Sequence, residues 1–357
     1  MYILGVLIIL NESSGNIEVR KVQLTGGSTY TVSLPKRWVD EMSLSPRDGI
    51  RIDWRPSGAL RLTPIDMANN QEKRVTIDAK SLPNDSLHDH LMGAYLSGAD
   101  TIGVLYPENS EREYRKQIRR FLKNTRGFET INERQNGLEL ICLIGASEMP
   151  LNASINRMYL QLTSVVRDII SISEGDDIDL LSDVNDRESE VDALLYLVER
   201  QVCIALDSHI VAASLKVSRN QAVEHSNLAR SLERMMDHAH QMANIITDNS
   251  MIKLDAKQVP FLQLSMWKSA IKKLMINLRT RNSHEIEEAR LELKQAQNQI
   301  SVFEEELISE GKLSNSEVII FRLSESVRRL CAYARDFGEV LLNLKLYDEI
   351  IVRKKAD

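Results

Sequence analysis

Residues 228–246 read LARSLERMMDHAHQMANII, and their spacing decides what the longer part of this chain is. Leu232, Met236 and Ala239 recur at intervals of three and four, the period of a helix that buries one face. Outward from here the same period runs from about residue 152 onward, and strand-like alternation disappears. Helices are expected over residues 152–173, 185–215, 218–248, 257–281, 284–310 and 315–347. They are separated by Glu174-Gly175-Asp176-Asp177, Asp248-Asn249-Ser250, Arg281-Asn282-Ser283 and Gly311-Lys312. Ser231 to Ala239 matches Ser326 to Ala334, 95 residues later, which is the spacing of one three-helix bundle. Two sets of three helices related by duplication follow.

Four carboxylates of the first set stand out. Glu188 and Asp192 are four apart on the second helix, and Glu233 and Asp237 are four apart on the third. Residues at i and i+4 share a helix face, so each pair sets like charges side by side unless a cation or a proton intervenes. Oxygen ligands from facing helices suit Mg, Mn, Ca or iron, and an imidazole such as His238 or His240 would tilt the choice towards iron or zinc. A solvated acidic face has the same spacing. In the second set Arg328 and Ala332 stand where Glu233 and Asp237 do, and Gln297 and Ser301 where Glu188 and Asp192 do, so a metal is expected in the first set only.

Towards the N-terminus the period changes. Residues 74–145 predict β-α-β-α-β-β, with a helix from Asn84 to Ser97 capped by Asn84 or Asp85, a basic helix from Ser110 to Asn124, and a hairpin around Asn136-Gly137. No Gly-rich phosphate loop follows either leading strand. Residues 18–64 alternate with period two between turns at Thr25 to Ser28, Ser45 to Gly49 and Pro56-Ser57-Gly58, with Pro35 opening a short helix. The resulting β-β-α-β-β unit is too small to bury a core alone and is expected to dimerise. It carries Arg20, Lys21, Lys36, Arg37, Arg47, Arg51, Arg55 and Arg61; Thr25, Ser28 and Thr29 add hydroxyls at the turn. Such residues can contact the phosphates of a duplex, and they can equally form a solvated outer face. The apolar start MYILGVLIIL is about half of what a spanning helix needs, and a buried strand or an upstream start codon is expected instead.

Composition bounds the function. The 357 residues carry a net charge of −6, with 43% hydrophobic and 27% charged side chains, which fits a helix-rich globular chain and excludes a uniformly basic nucleic-acid coat. Positive charge gathers at the front: residues 1–64 hold 8 basic and 6 acidic side chains, and residues 150–357 hold 26 and 32. Cys142, Cys203 and Cys331 lie far apart, which excludes a zinc finger and suits a reducing cytoplasm. Trp38, Trp54 and Trp267 read as core or interface residues. A di-metal bundle enzyme would need paired Glu-x-x-His motifs, and only the lone Asp237-x-x-His240 is present. The chain therefore reads as a multidomain α+β protein. Its parts are an extension (1–17), the β-β-α-β-β unit (18–66), a small α/β domain (73–147) and three-helix repeats at 151–250 and 251–350.

Two family resemblances sharpen this. Residues 20–64, with a basic start, a turn, a strand ending in SLPK and the later Arg47-Asp48-Gly49 turn, resemble the AbrB/MazE (SpoVT-AbrB) DNA-binding domain. That resemblance implies a swapped-hairpin β-barrel-type dimer and offers Arg20, Lys21, Lys36 and Arg37 as contacts to double-stranded DNA, with Gly27-Ser28-Thr29 in the turn where bacterial relatives tend to carry an arginine. Residues 228–246 together with RESEVDALLYLVERQV (187–202) resemble PhoU, the phosphate-uptake regulator built from two three-helix repeats. The combination is similar to archaeal PhoU-domain regulators. It implies that Glu188, Asp192, Glu233 and Asp237 match one repeat's worth of the acidic motifs that hold iron or zinc clusters. It also implies a cytoplasmic, non-enzymatic, DNA-binding homodimer that regulates phosphate uptake, without membrane insertion. The alternative is an adaptor that leaves DNA alone and acts on a phosphate-transporter ATPase or a sensor kinase.

Overall fold

A computed structural model describes residues 18–54, 59–65, 72–107, 111–309, 311 and 313–350. The expected extension 1–17, Arg55, the Pro56-Ser57-Gly58 turn and Lys312 lie outside the described residues, as does the side chain of Trp54. The chain divides into two compact units, residues 1–72 and 73–357.

The first unit has the expected order: β1 (Gln23–Thr25), β2 (Thr29–Thr31), α1 (Lys36–Glu41), β3 (Ile50–Trp54) and β4 (Leu60–Pro64). β1 and β2 pair antiparallel with Thr25 opposite Thr29, across a turn whose Gly26 and Gly27 sit at φ 63° and 82°. β3 and β4 form a second antiparallel pair. The barrel expected from the sequence is not closed: among the described residues these are two separate two-stranded sheets, and strands of three to five residues are too few and too short to curl shut. Val22, Leu24, Tyr30, Val32, Ile52 and Leu60 are each more than half exposed, so this unit holds little core of its own.

In the second unit, β5 (Arg74–Asp78), α2 (Leu87–Leu96), β6 (Thr101–Leu105), α3 (Glu111–Asn124), β7 (Phe128–Arg134) and β8 (Gly137–Cys142) give the expected α/β domain. The sheet order is β5-β6-β8-β7, with β5 and β6 parallel and the other pairs antiparallel. Tyr95, Phe121 and Phe128 pack edge to face at its centre, with ring centroids 5.6–6.2 Å apart. Two expectations shift. The first helix starts at Leu87, because Asp85 takes a left-handed φ of 62° that no helix accommodates. The hairpin loop is Gln135-Asn136, and Gly137 already belongs to β8. Its glycine answers a different need: a Cβ there would stand 2.6 Å from the Val104 carbonyl oxygen of β6.

The helical part comprises α4 (Leu151–Glu174), α5 (Val184–Asp207), α6 (His209–Ser214), α7 (Arg219–Asp248), α8 (Phe261–Thr280), α9 (Ser283–Ser309) and α10 (Asn315–Glu349). The helix expected over 185–215 is split at Ser208, whose hydroxyl accepts from the Val211 N–H and caps a new short helix. The helix expected from 257 starts at Phe261, after Pro260, whose ring suits only the start of a helix. The last helix of each set opens alike. Ser218 with Gln221 and Ser314 with Glu317 form the same reciprocal capping box at the start of α7 and of α10. α4, α5 and α7 pack as one set and α8, α9 and α10 as the other, and α7 lies on α10. The two sets share one continuous apolar core, in which Leu162, Leu232, Trp267, Leu293 and Leu330 are fully buried.

The α/β domain docks on α5. Buried Arg200 donates to the Tyr95 carbonyl at 2.7 Å and spreads its guanidinium over the Tyr95 and Phe128 rings, at 5.1 and 5.4 Å. Gln201 donates to the Ala146 and Met149 carbonyls at 2.8 and 2.7 Å, and Lys73 pairs with Asp207 at 2.9 Å. No helix among the described residues is long and apolar enough to cross a membrane.

Candidate functional site

The helix spacing that raises the question of a site also builds it. On α5 the buried residues Val191, Leu194, Leu195 and Val198 fix which face meets the core, and this sets Glu188 and Asp192 at the edge of that face. On α7, Leu232, Met235, Met236 and Ala239 do the same for Glu233 and Asp237. α5 packs on α7, so the two edges meet. Glu188, Asp192 and Asp237 each present a carboxylate oxygen within 4.8 Å of the others. Glu188 and Asp192 are partly buried and Asp237 is at the exposed rim. Glu233 stands outside this trio, one turn back along α7 from Asp237.

The electrostatics bind all four together. Burial, reinforced by the charges of Glu188 and Asp237, pushes the Asp192 carboxyl up from 3.8 to about 7. Burial together with Asp237 and Asp192 pushes Glu233 up to about 7 as well. Asp237 is raised by partial desolvation and by Glu188, against the opposing pull of His240. No lysine or arginine pairs with Asp192 or Asp237 among the contacts of the described residues, so a proton or a bound cation is what relieves the crowding.

Of the two imidazoles the sequence offered, His240 lies within reach of Asp237, with its Nε2 2.7 Å from the Asn185 side-chain oxygen. His238 stacks on Tyr333 of α10 at 5.8 Å and serves the contact between the two sets instead. The trio is a hard, all-oxygen donor set, which fits Mg, Mn, Ca or iron better than zinc.

Tyr196 is one feature of the site that sequence reasoning missed. It lies one turn beyond Asp192, its hydroxyl is raised by burial and by Asp192 and Glu233, and it packs against the core of the α/β domain. An i+4 step from Asp192 would have found it.

The second set shows the same place without the acids. Arg335 donates to the Gln297 side-chain oxygen at 2.8 Å. Arg328 pairs with Glu304 at 3.1 Å, and the Ser324 hydroxyl donates to that same, nearly buried carboxylate at 2.9 Å. Charges there are compensated by neighbours and need no ion.

The six side chains proposed to touch DNA are all exposed. Arg20 and Lys21 precede β1, Thr25 and Ser28 flank the β1–β2 turn, and Lys36 and Arg37 open α1. Arg20 pairs with Glu18, Arg37 pairs with Glu41 at 2.7 Å, and the Thr25 and Thr31 hydroxyls meet at 3.2 Å across the hairpin.

The PhoU domain model matches residues 155–246. That stretch runs through α4, α5, α6 and most of α7, and it contains all four acidic residues. No curated protein and no solved structure matches the chain.

Proposed function

We propose that the chain is a regulator of phosphate homeostasis that works through protein contacts, with its acidic groove as a divalent-cation site. The observation that carries this reading is the coincidence of the PhoU domain match with the carboxylate trio on α5 and α7. PhoU domains belong to phosphate regulation, and the partner class this suggests is a phosphate-transporter ATPase or a sensor kinase. The reading is regulatory rather than catalytic, and what supports it is the PhoU domain match.

Glu188, Asp192 and Asp237 would hold the ion, with Glu233 as a further oxygen donor. Mg, Mn or iron is favoured over zinc on the donor set. The ion would supply positive charge that locks α5 to α7. Because α5 also carries Tyr196, Arg200 and Gln201, occupancy of the groove can be felt by the α/β domain docked two turns further along the same helix.

A second reading keeps DNA binding by a homodimer of the first unit. It rests on the exposed apolar strand residues, which a partner copy could cover, and on the exposed Lys21 and Lys36. Against it, the guanidinium groups of Arg20 and Arg37 already have carboxylate partners.

One pair of assays separates the readings. The full chain is tested for binding to a phosphate-transporter ATPase and a sensor kinase from the same organism, and for duplex retention across a salt series, each with a variant neutralised at Arg20, Lys21, Lys36 and Arg37. Partner binding that survives the substitutions, without salt-sensitive duplex retention, supports the adaptor. Duplex retention lost in the variant, with no partner binding, overturns it.

A further inference from the structure

A second feature lies away from the acidic groove. A cavity of about 310 Å³ opens where the link from the α/β domain, the end of α6, the start of α7 and the end of α8 meet. Two cations line it, Lys216 just after α6 and Arg281 just after α8, together with His225 of α7 and the hydroxyl-bearing Ser147 and Ser214. Leu151 and Asn152 at the start of α4 also line it; Ala153 and Ser154 already donate to the Pro150 carbonyl, which leaves the N–H groups of Leu151 and Asn152 as the helix-start donors.

Both cations occupy unusual backbone. Lys216 has φ 57° and Arg281 has φ 54°, left-handed positions after a helix end where glycine is the least strained residue. The duplication provides an internal comparison. The first helix of the other set, α4, ends in the same left-handed conformation with Gly175. The turn therefore does not itself require an arginine.

A cation near a helix C-terminus is favoured by the carbonyl dipoles alone. That explanation does not reach the Arg281 guanidinium, one of whose nitrogens, Nη1, is buried with no hydrogen-bond partner. Asp348 is the acidic group in electrostatic reach of Arg281, and its carboxylate already accepts from the Gln221 amide at 2.6 Å. The Arg281 side chain, with one buried nitrogen unsatisfied, thus lines a cavity together with exposed Lys216, a helix start and two hydroxyls, a setting that suits an acceptor with several oxygens.

We propose that this cavity is a binding site for a phosphate group, either inorganic phosphate or the phosphate of a small phosphorylated molecule. Arg281 and Lys216 supply the charge-assisted hydrogen bonds, and the first turn of α4 supplies backbone N–H donors. The cavity is larger than the ion alone, which leaves room for a small esterified group. Because Arg281 comes from the second helical set and Lys216 and the α4 start from the first, an occupied site would bridge the two sets. This site is separate from the acidic groove, and its failure would leave the adaptor reading untouched.

The test uses the full chain stripped of metal by chelator and measures binding by titration calorimetry and thermal melting. The probes are inorganic phosphate and glycerol phosphate, each against chloride at equal ionic strength. The variants are Arg281→Gly and Lys216→Gly, which relieve the left-handed strain and so keep the fold. Saturable binding of either probe by the parent chain, weakened about ten- to a hundredfold in both variants while their unliganded melting temperatures hold or rise, is the expected result. Inorganic phosphate binding as tightly as the ester identifies the free ion as ligand, and binding of the ester alone identifies the phosphorylated molecule. Binding unchanged in Arg281→Gly, or no binding of either probe, overturns the proposal.

Discussion

Replacing Asp192 by asparagine is expected to stabilise the metal-free protein, by a gain that builds up above about pH 4 and is complete at neutral and alkaline pH. The carboxyl sits among Glu188 and Asp237 on a half-buried face, and its pKa rises from the ordinary 3.8 to about 7. A folded-state value above the unfolded one means that the fold prefers the neutral acid. The penalty is absent below pH 3.8, grows as pH rises towards 7, and stays constant above. The displacement alone corresponds to roughly 4 kcal/mol at about 1.4 kcal/mol per pH decade. Partial exposure screens these charges, so about 1–2 kcal/mol is the expected gain for Asp192→Asn at pH 8. For a domain of this size that is about 2–5 °C in melting temperature. Thermal melts with chelator at pH 8, 6 and 4 would read it as a gain that shrinks to nothing at the acid end. Manganese added at pH 8 should then reverse the order, raising the melting point of the parent chain above that of the variant. A drop in stability at pH 8, or a difference that does not change with pH, would refute the crowded-carboxylate reasoning.

Other consequences follow from single contacts. Arg200→Leu removes the bond to the Tyr95 carbonyl and the guanidinium packed on two rings, at a cost of roughly 2–3 kcal/mol; limited proteolysis should then open the Ala146 to Met149 link that Gln201 holds. Gly137→Ala places a methyl 2.6 Å from the Val104 carbonyl oxygen and should cost about 1–3 kcal/mol in a chemical melt, whereas a turn-only role would make it nearly neutral. Arg328→Leu leaves Glu304 nearly buried with only the Ser324 hydroxyl, and should cost about 2 kcal/mol without changing metal content.

The architecture was legible where local rules decide it. Alternation gave the β-β-α-β-β order and the α/β element order, and the 3.6 period gave the six long helices to within a few residues at most ends. The missed break at Ser208 shows the limit of periodicity: Ala205 and Ala212 are both buried, so the apolar stripe passes through the break unbroken. Only the capping preference of Ser208 marks it. Barrel closure was not legible at the level of one chain, whose described strands form two separate two-stranded sheets, because closure depends on contacts that three- and five-residue strands do not specify.

At the site, i and i+4 spacing placed each acidic pair, but the meeting of α5 with α7 is a tertiary fact. It brought in Asp237 and left Glu233 a turn away. Arg200 carried no sequence signal, because its partners Tyr95 and Phe128 lie far off along the chain. The same is true of the Lys216 and Arg281 cavity, which exists only because four separate segments end at one place.

The reading of residues 155–246 as the working part of the chain is tested most directly by elemental analysis. Protein purified without chelator is compared with its Asp192→Ala plus Asp237→Ala variant. The expected result is bound divalent metal near one equivalent or more in the parent chain and none in the variant, with both folded. Equal metal content in the two, or none in either after manganese or iron loading, would return the four carboxylates to a solvated surface and contradict the cation site.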